Sequence, residues 1–566
     1  MPPKKAAASK AAPKVAAASK AAPKVAAPKK AAPKVAAAKT TNASTPPPAA
    51  APAASAPTSS STSAGRGTKS AADRVIKKGK GVVDPYFADA AKCRVLEDGG
   101  VVYQCTLNQT NVGQNNNKFY VIQLLQDETC QKFHVFTRWG RVGVPGQQST
   151  ETHQQMMAAK TSFCSKFQDK TRNQFGTTNF IKVPGKYQLM DIDYGTDDDD
   201  EEEDDGPAKK KAKSESAAPV PSKLPSETQD LIHMISSVTA MSNTLRELSI
   251  DTKRMPLGKI SKEQIKNAYG ALKRIETELA KKKPSVEQAT SDFYTLIPHD
   301  FGFQRPPLIN TVDMLKEKME MLDALAQLEV SSTLLSRDKA QEENVLDKTY
   351  AALNCDLTPL QRSHAEFKRV EEYARNTTGS THNYYTLHVE QVFKVQRHGE
   401  SARYEQKCKS IGNRQMLWHG SRTTNFVGIL SQGLRIAPKE APVTGYMFGK
   451  GIYLADTCTK SANYCCTSRT NTNGLMLLCE AALGKQKEYV SSCYMEEAQP
   501  GFDSTKGLGR MHPDPAGAEQ VGKVLWPKGK MITDTGSLHL LYPEYIVYDV
   551  AQCQIQYLVK MRFDYK

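Results

Sequence analysis

Three short segments in the C-terminal half combine glycines, tyrosines and hydroxyl groups in a way that suits a nucleotide pocket. Residues 417–422 have the sequence Leu-Trp-His-Gly-Ser-Arg, an apolar run that ends in a His-Gly-Ser turn. Residues 446–456 include Gly-Lys-Gly-Ile-Tyr, and residues 461–464 are Ser-Ala-Asn-Tyr. Glycine lets the backbone come close to a ligand, and tyrosine offers a flat face to an aromatic ring. These segments predict a seat for a nicotinamide ring.

A single His-Gly or tyrosine is more often part of a turn or core than of a catalytic site. The order of these motifs along the chain is the stronger indication of function. His419, Tyr446 and Tyr453 are followed by Glu544 in the segment Tyr-Pro-Glu-Tyr-Ile-Val-Tyr-Asp. This set closely resembles the His-Tyr-Glu signature of the poly(ADP-ribose) polymerases, and the resemblance covers roughly residues 85–566. The chain is most similar to the short, DNA-damage-dependent type.

The resemblance implies that the pocket binds NAD as a substrate, needs no metal, and transfers ADP-ribose as nicotinamide leaves. Breaking this glycosidic bond builds positive charge on the ribose, which a carboxylate stabilises. Glu544 would bind the 2′-hydroxyl of that ribose and help to activate the acceptor hydroxyl. The implied catalytic residues are Glu544, His419 and Tyr453. The implied NAD-binding residues are His419, Gly420, Ser421, Arg435, Tyr446, Tyr453, Ser461 and Tyr464.

Two features depart from the family pattern. Pro543 stands where asparagine is usual, which removes a backbone N–H directly before Glu544 and stiffens that strand. The sequence ends at Lys566 without the Leu-Trp-type tail through which relatives engage the histone PARylation factor. That partner, and the serine modification it directs, are therefore in doubt, and acidic acceptors remain open as the alternative.

The net charge of +16 is concentrated in the first 80 residues, which contain sixteen Lys and Arg against one acid, Asp73. Ala-Ala-Pro-Lys-Val recurs at positions 11, 21 and 31, and its prolines interrupt any helix. We predict a disordered basic tail over residues 1–84, suited to a polyanion such as DNA. The alternative is a tail that only solubilises the protein.

A small β-rich domain is predicted over residues 85–195. Short apolar runs favour strands at residues 101–105, 119–125 and 133–143. Trp-Gly-Arg at 139–141 resembles the element that names the WGR domain, which implies binding to DNA ends or nicks. Basic side chains would pair with phosphates and the tryptophan would stack on a base; the alternative is a core tryptophan with surface charges. The implied DNA-binding residues are Asn116, Lys118, Arg138, Trp139, Arg141 and Tyr187.

Residues 196–222 combine nine consecutive acids, 197–205, with the basic cluster Lys-Lys-Lys-Ala-Lys at 209–213. Like charges at this density repel one another, so we predict a linker. The lysines favour nuclear import and the acids favour automodification, although such runs are often only solvated. Because no apolar run suits a membrane span or a signal peptide, we expect a soluble nuclear protein without a membrane partner.

An all-α helical bundle is predicted over residues 223–342. Ser261 and Gln264 form a capping box before apolar positions at helical spacing from Ile265 to Leu279, and a second such series begins at Leu315. The spacing alone indicates only a bundle. The resemblance implies that this bundle lies over the NAD pocket and blocks it until a DNA break loosens the helices.

Residues 343–566 contain several alternating apolar runs, which favour strands with few long helices between them. By resemblance this is an ADP-ribosyltransferase domain of mixed α+β type with split antiparallel sheets, and the whole chain is a multidomain α+β protein. The twelve cysteines are scattered, with one adjacent pair and no second pair at metal-ligand spacing. We therefore expect reduced thiols, with neither a disulfide framework nor a zinc site.

These features together predict a DNA-break-activated poly(ADP-ribose) polymerase that acts in DNA repair. Its expected partners are damaged DNA with nicks or ends, chromatin and histones as acceptors, and the protein itself through automodification. Two alternatives remain open, a mono-ADP-ribosyltransferase and a DNA-binding scaffold with a silent pocket. The size of the product formed from NAD distinguishes a polymerase from a mono-ADP-ribosyltransferase. Turnover of NAD in the presence of nicked DNA distinguishes an enzyme from a scaffold.

Overall fold

The computed structural model describes residues 76–78, 80–193, 220–248, 250, 259–335, 344–536 and 538–566. All of them belong to one compact unit, Thr68–Lys566. Most of the basic tail predicted for residues 1–84, and the charge runs of the linker predicted for residues 196–222, lie outside the described residues. Among the helices described, none combines the length and the apolar character that a membrane span requires.

The first region is an antiparallel sheet with the strand order β10–β6–β7–β8–β9, and β3 also pairs with β7. Its elements are β1 (Ile76–Lys78), β2 (Gly81–Val83), β3 (Cys93–Val95), β4 (Glu97–Asp98), β5 (Val101–Val102), β6 (Gln104–Asn111), β7 (Asn116–Asp127), β8 (Phe133–Arg141), β9 (Gln147–His153), α1 (Met156–Thr171) and β10 (Gln188–Leu189). Two of the predicted strands fall in β7 and β8, whereas the run 101–105 is divided between β5 and β6. The central strand β7 is largely buried because α1 covers one face of the sheet and residues 83–95 cover the other.

The second region is a layer of helices. Its elements are β11 (Ile192–Asp193), α2 (Ser226–Ile235), α3 (Val238–Glu247), β12 (Lys259–Ile260), α4 (Lys262–Leu279), α5 (Glu287–Leu296) and α6 (Val312–Leu335). As predicted, Ser261 caps α4 by accepting a hydrogen bond from the Gln264 N–H, and the apolar face that follows is buried. The Gln264 side chain does not complete the capping box, because it contacts the Asp191 N–H and the Leu296 carbonyl instead.

The C-terminal region contains two main sheets, which confirms the split-sheet prediction. Their orders are β13–β14–β25–β17–β15–β22–β21 and β16–β24–β19–β18, with mostly antiparallel pairs. The elements are α7 (Val345–Ala352), β13 (Cys355–Leu360), α8 (Ala365–Asn376), β14 (Tyr385–Arg397), α9 (Glu400–Cys408), β15 (Arg414–Ser421), α10 (Phe426–Gln432), β16 (Ile452–Leu454), α11 (Cys458–Ala462), β17 (Asn473–Ala482), β18 (Gln486–Tyr489), β19 (Ser504–Gly507), β20 (Met511–Pro513), β21 (Glu519–Val521), β22 (Val524–Trp526), β23 (Met531–Thr533), β24 (Glu544–Val547) and β25 (Cys553–Tyr565). The chain is thus a multidomain α+β protein.

Polar contacts join the first sheet to the end of α5. Asn108 Nδ2 donates to the carbonyl oxygens of Tyr294 at 3.1 Å and Thr295 at 2.9 Å. The Thr110 N–H donates to Thr295 Oγ1 at 3.0 Å. All four residues are buried, so these contacts satisfy groups that water cannot reach. The first sheet and the helices therefore meet through a specific polar interface.

Candidate active site

The two C-terminal sheets meet at the predicted pocket. Trp418 on β15 and Ala455, just after β16, exchange backbone hydrogen bonds of 2.8 and 3.0 Å and so connect the larger sheet to the smaller one. This bridge holds His419 beside Tyr453, and His419 Nδ1 lies 2.9 Å from the Tyr453 carbonyl oxygen. Two predicted site residues that are distant in sequence are therefore neighbours.

His419 is held as a neutral hydrogen-bond acceptor. Because its neighbour at Nδ1 is a carbonyl oxygen, Nδ1 carries the proton and Nε2 carries a lone pair. Burial lowers the pKa of the imidazole from its ordinary value of 6.5, and the hydrogen bond to Tyr453 opposes this only in part. At neutral pH, Nε2 can therefore accept a hydrogen bond from a sugar hydroxyl.

Gly420 lies directly against α11. A Cβ atom at this position would be 1.9 Å from the Ser461 carbonyl oxygen, so no side chain fits. Ser461 is buried, and its hydroxyl donates to the Trp418 carbonyl at 3.0 Å. The serine oxygen keeps lone pairs with which to accept a hydrogen bond from a ligand amide. The bare backbone of Gly420 and the Ser461 hydroxyl thus form a narrow seat that suits a carboxamide.

Tyrosine rings surround this seat. The Tyr453 hydroxyl accepts from the Phe448 N–H at 3.0 Å and donates to the Gly449 carbonyl at 2.7 Å, which fixes the orientation of the ring. The Tyr446 ring lies 6.4 Å away, centroid to centroid. Burial raises the pKa of Tyr453, and the nearby charge of Glu544 and the Tyr464 phenol add to this rise. Tyr464 is 59% exposed, so its ring is accessible to a ligand.

Glu544 begins β24 and carries an oxygen that is poised for a ligand. Its side chain is only 14% exposed, and Oε1 lies 2.9 Å from Lys460 Nζ. Oε2 is buried and has no hydrogen-bond partner among the described residues. Since buried carboxylate oxygens are normally hydrogen-bonded, this vacancy fits a ligand hydroxyl. Glu544 therefore presents one acceptor oxygen to a ligand at this site.

Lys460 is the residue that the sequence reasoning missed. Its Nζ also donates to the carbonyl oxygens of Tyr542 at 3.2 Å and Pro543 at 2.9 Å, so one cation fixes both Glu544 and the residues before it. Burial lowers the pKa of the ammonium group, and the Glu544 carboxylate opposes this. Lys460 could have been recognised as unusual because it is the one charged residue of α11, a short helix whose other residues are buried.

The helical layer borders the other side of the pocket. The Val443 N–H donates to Glu276 Oε2 on α4 at 3.1 Å. A Cβ atom at Gly445 would be 3.2 Å from Lys316 Cγ on α6, so this loop lies close against that helix. Tyr446 packs on the same helical core. The helices therefore contact the loop that supplies one of the predicted NAD-binding tyrosines.

Ser421 and Arg435 lie on the segments that lead into and out of α10. The Ser421 hydroxyl accepts from Asn425 Nδ2 at 2.9 Å, and Arg435 Nη1 donates to Gln432 Oε1 at 3.2 Å. Both contacts are local, and the Arg435 guanidinium has further donors with which to bind an anionic group. Their position on NAD remains a prediction.

Three family models match the chain in the order of its three regions. The WGR domain matches residues 103–181, the regulatory domain of poly(ADP-ribose) polymerase matches residues 222–350, and the catalytic domain of poly(ADP-ribose) polymerase matches residues 364–563. Human poly [ADP-ribose] polymerase 2 is 41% identical over 517 residues, which cover 89% of this chain and 87% of that protein. The chain belongs to the poly(ADP-ribose) polymerase family. The resemblance seen in the sequence is thereby confirmed.

Other members of this family are similar to a comparable degree. Poly [ADP-ribose] polymerase 2 of Arabidopsis thaliana is 42% identical over 500 residues, covering 87% of this chain and 78% of that protein. Poly [ADP-ribose] polymerase 1 of Danio rerio is 42% identical over 505 residues, covering 88% of this chain. The chain spans about half the length of the latter, since the match covers 49% of it. The catalytic domain of this family is an NAD ADP-ribosyltransferase that uses NAD as its substrate.

The WGR domain of this chain has a pocket of its own. The pocket has a volume of about 260 Å³ and includes five of the six predicted DNA-binding residues, namely Asn116, Lys118, Trp139, Arg141 and Tyr187. The Trp139 ring stacks on Tyr120 at 5.7 Å, so its position is fixed before any ligand arrives. This arrangement combines an aromatic platform with cationic side chains, as nucleic-acid ends require.

Arg138 requires a correction, because it does not line this pocket. It lies on the opposite face of β8, where its side chain is 2% exposed and Nε donates to Asp84 Oδ2 at 2.8 Å. Nη1 donates to the Pro145 carbonyl at 2.9 Å, and the guanidinium lies over the Tyr86 and Phe119 rings. A group that is buried and paired in this way cannot reach a phosphate. Arg138 therefore stabilises the domain instead of contacting DNA.

Arg138→Ala is accordingly expected to lower the free energy of unfolding by at least about 3 kcal/mol, because it leaves the Asp84 carboxylate buried without its partner. Urea unfolding of the full chain, followed by fluorescence, measures this loss. The double variant Arg138→Met with Asp84→Leu should recover part of it, since no buried charge remains. An Arg138→Ala protein of unchanged stability with weakened DNA binding would reverse the correction.

Proposed function

We propose that the chain is a DNA-break-activated poly(ADP-ribose) polymerase that transfers ADP-ribose from NAD to protein acceptors, extends the chain and acts in DNA repair. The observation that carries the proposal is the buried Oε2 of Glu544, which lacks a donor among the described residues. The Glu544 carboxylate lies close enough to Tyr453 to raise its pKa, and His419 contacts the backbone of the same tyrosine, which supports binding of a nicotinamide riboside here. The proposed domains are a tail (1–84), a WGR domain (85–195), a linker (196–222), a helical regulator (223–342) and a transferase (343–566).

In the proposed reaction, the bond between ribose C1′ and the nicotinamide nitrogen breaks, and nicotinamide leaves with the bonding pair. Gly420 and Ser461 hold its carboxamide, and Tyr453 and Tyr464 enclose its ring. Glu544 accepts a hydrogen bond from the ribose 2′-hydroxyl and stabilises the positive charge. The acceptor oxygen then bonds to C1′ and loses its proton, for which Glu544 is the proposed base.

Lys460 has a positioning role in this proposal. By holding Oε1 at 2.9 Å, it leaves Oε2 to face the substrate. His419 holds the adenosine ribose through Nε2, and Arg435 and Ser421 serve the adenosine and pyrophosphate end. These roles follow the family resemblance and agree with the donors and acceptors that each side chain has available.

The contacts of Arg141 support activation by DNA. Arg141 lies on the WGR pocket, yet its guanidinium donates to the carbonyl oxygens of Gly302 and Gln304 in the loop after α5. A phosphate is a stronger acceptor for arginine than a carbonyl, so DNA would draw Arg141 away from this loop. The loop leads into α6, which borders the NAD pocket. DNA binding would thus loosen the helical layer that restricts the pocket.

The proposed partners are DNA nicks and ends, histones and other chromatin proteins as acceptors, and the protein itself. Nuclear location is proposed from the lysine cluster at 209–213, which lies outside the described residues. The decisive experiment measures nicotinamide release from NAD by the full chain, with and without nicked DNA, and separates labelled products on a gel. We expect DNA-dependent release and long polymers. Single-unit products would favour a mono-transferase, and no release would leave a DNA-binding scaffold.

The exposed Lys118 offers a test of the DNA face. Lys118→Ala should weaken binding to nicked DNA on every sequence, and should reduce the slope of log affinity against log salt by about 0.9, since one phosphate contact is lost. Fluorescence anisotropy over a series of salt concentrations gives this slope. Lys132→Ala, at the opposite end of the hairpin formed by β7 and β8, is the matched control and should leave it unchanged. An equal effect of both variants would argue against a specific contact.

A further inference from the structure

The WGR domain carries a cluster of metal-ligating side chains at the end of the sheet opposite to Lys118. Cys93 on β3, Asp127 at the end of β7 and His134 on β8 place one ligand atom each within 4.8 Å of the others. The strand register explains this, because Cys93 pairs with Asp127, and His134 pairs with Leu125 two residues back on β7. Residues two apart share a face, so all three side chains project from one face of the sheet.

A further ligand is available on the turn between β7 and β8. The Cys130 thiol donates to Asp127 Oδ2, with Sγ and Oδ2 3.2 Å apart. Asp127, Cys130 and His134 follow one another at intervals of three and four residues around the hairpin, which is a usual spacing for zinc ligands. The exposed turn can adjust its position, whereas Cys93 is fixed in the buried core.

Outer contacts orient two of these ligands toward the cluster. His134 Nδ1 lies 3.0 Å from Thr152 Oγ1, and the other ring nitrogen, Nε2, lies 3.9 Å from Asp127 Oδ2. Thr129 holds the far carboxylate oxygen, because its N–H and its hydroxyl donate to Asp127 Oδ1 at 2.8 and 2.6 Å. Metal-binding histidines and carboxylates in proteins are held by hydrogen bonds of this kind.

We infer that Cys93, Asp127, Cys130 and His134 form a structural zinc site that ties β3 to the hairpin of β7 and β8. Two thiolates and an imidazole select zinc over magnesium or calcium, which take oxygen ligands. Tetrahedral zinc places its ligand atoms roughly 3.3–3.8 Å apart, so the ligand atoms of Cys93, Asp127 and His134 need to approach one another by about 1 Å. Cys130 Sγ already lies 3.2 Å from Asp127 Oδ2, and its exposed turn would carry it to the metal. Four protein ligands make a closed site, and zinc replaces the protons of both thiols.

The sequence predicts no zinc site, because the cysteines do not form two pairs at metal-ligand spacing. The proposed site does not need such pairs. Its ligands come from two strands, one strand end and a turn, and Cys93 has no spacing relation to the rest. The cluster is also distant from the DNA face. Nine residues separate Lys118 from Asp127 along β7, or about 30 Å of extended strand. Substitutions here can therefore be tested without altering the proposed DNA contacts or the NAD pocket.

The test uses tag-free full-length protein that is stripped with a chelator and then titrated with zinc alone. We expect one zinc ion per chain by elemental analysis, with a higher thermal unfolding midpoint when zinc is present. Cobalt(II) in place of zinc should give a thiolate-to-metal charge-transfer band and tetrahedral d–d bands. Wild-type protein that lacks the thiolate band would overturn the proposal, whatever the variants do.

Variants locate the metal. Cys130→Ser combined with His134→Gln should abolish the bound zinc and the cobalt band, whereas Cys164→Ser, on α1 of the same domain, should retain both. Thr152→Val removes only the outer hydrogen bond of His134 and should weaken zinc binding about 10- to 100-fold. Zinc retained at full affinity by the double variant would place it elsewhere and refute this site.

Discussion

Glu544→Gln is expected to reduce nicotinamide release by about 10²–10³-fold and to abolish polymer elongation. The substitution keeps the size of the side chain and an oxygen for Lys460, but it removes the negative charge that Oε2 would bring to the ribose cation. Affinity for NAD should change little, because this cation forms only as the glycosidic bond breaks. Steady-state kinetics with nicked DNA, together with equilibrium NAD binding, separate the two effects.

The control for this prediction is Glu488→Gln, which removes an exposed carboxylate from β18 of the same small sheet and should leave activity unchanged. Because Glu544→Gln leaves Lys460 buried beside a neutral amide, some loss of stability is also expected. The rates of wild type and variant are therefore compared at a temperature below the thermal unfolding midpoint of the variant. Polymers of wild-type length from Glu544→Gln would show that this carboxylate does not serve catalysis.

Local signals in the sequence predicted the parts of the fold that depend on neighbouring residues. Ser261 indicated the start of α4 because a cap and the apolar spacing that follows are both local features. The strands β7 and β8 followed from short apolar and aromatic runs in the same way. The family order of His419, Tyr453 and Glu544 then predicted a shared pocket, and the two sheets do bring these residues near one another.

Features that depend on tertiary pairing were missed. The partnership of Lys460 with Glu544 depends on how α11 packs beside β24, which no local pattern encodes. Arg138 is different, because strand alternation could have excluded it. Trp139 and Arg141 are two residues apart and share a face of β8, so Arg138 must point the other way. Its partner Asp84 lies 54 residues earlier, so the buried ion pair itself was beyond local reasoning.

The second large effect is expected from Leu322→Ala, which should raise the activity measured without DNA toward the DNA-activated level. Leu322 on α6 is fully buried in the helical core, together with Leu315 and Met319. Truncation of a buried leucine costs about 2–5 kcal/mol, and here the cost falls on the layer that borders the NAD pocket. If only the closed form needs this packing, a loss of about 2 kcal/mol shifts the balance toward the open form roughly 30-fold.

The matched control is Leu124→Ala, which removes a leucine of equal burial from the first sheet, where it packs in the core beneath α1. Both variants lose stability, but only Leu322→Ala weakens the helical layer. If Leu322→Ala is active without DNA and Leu124→Ala is not, the activity results from opening of the NAD pocket and not from general destabilisation. Nicotinamide release without DNA measures this, and hydrogen exchange should show faster opening of α6 in the active variant. A Leu322→Ala protein that opens in this way and still requires DNA would show that the helices do not restrict access to NAD.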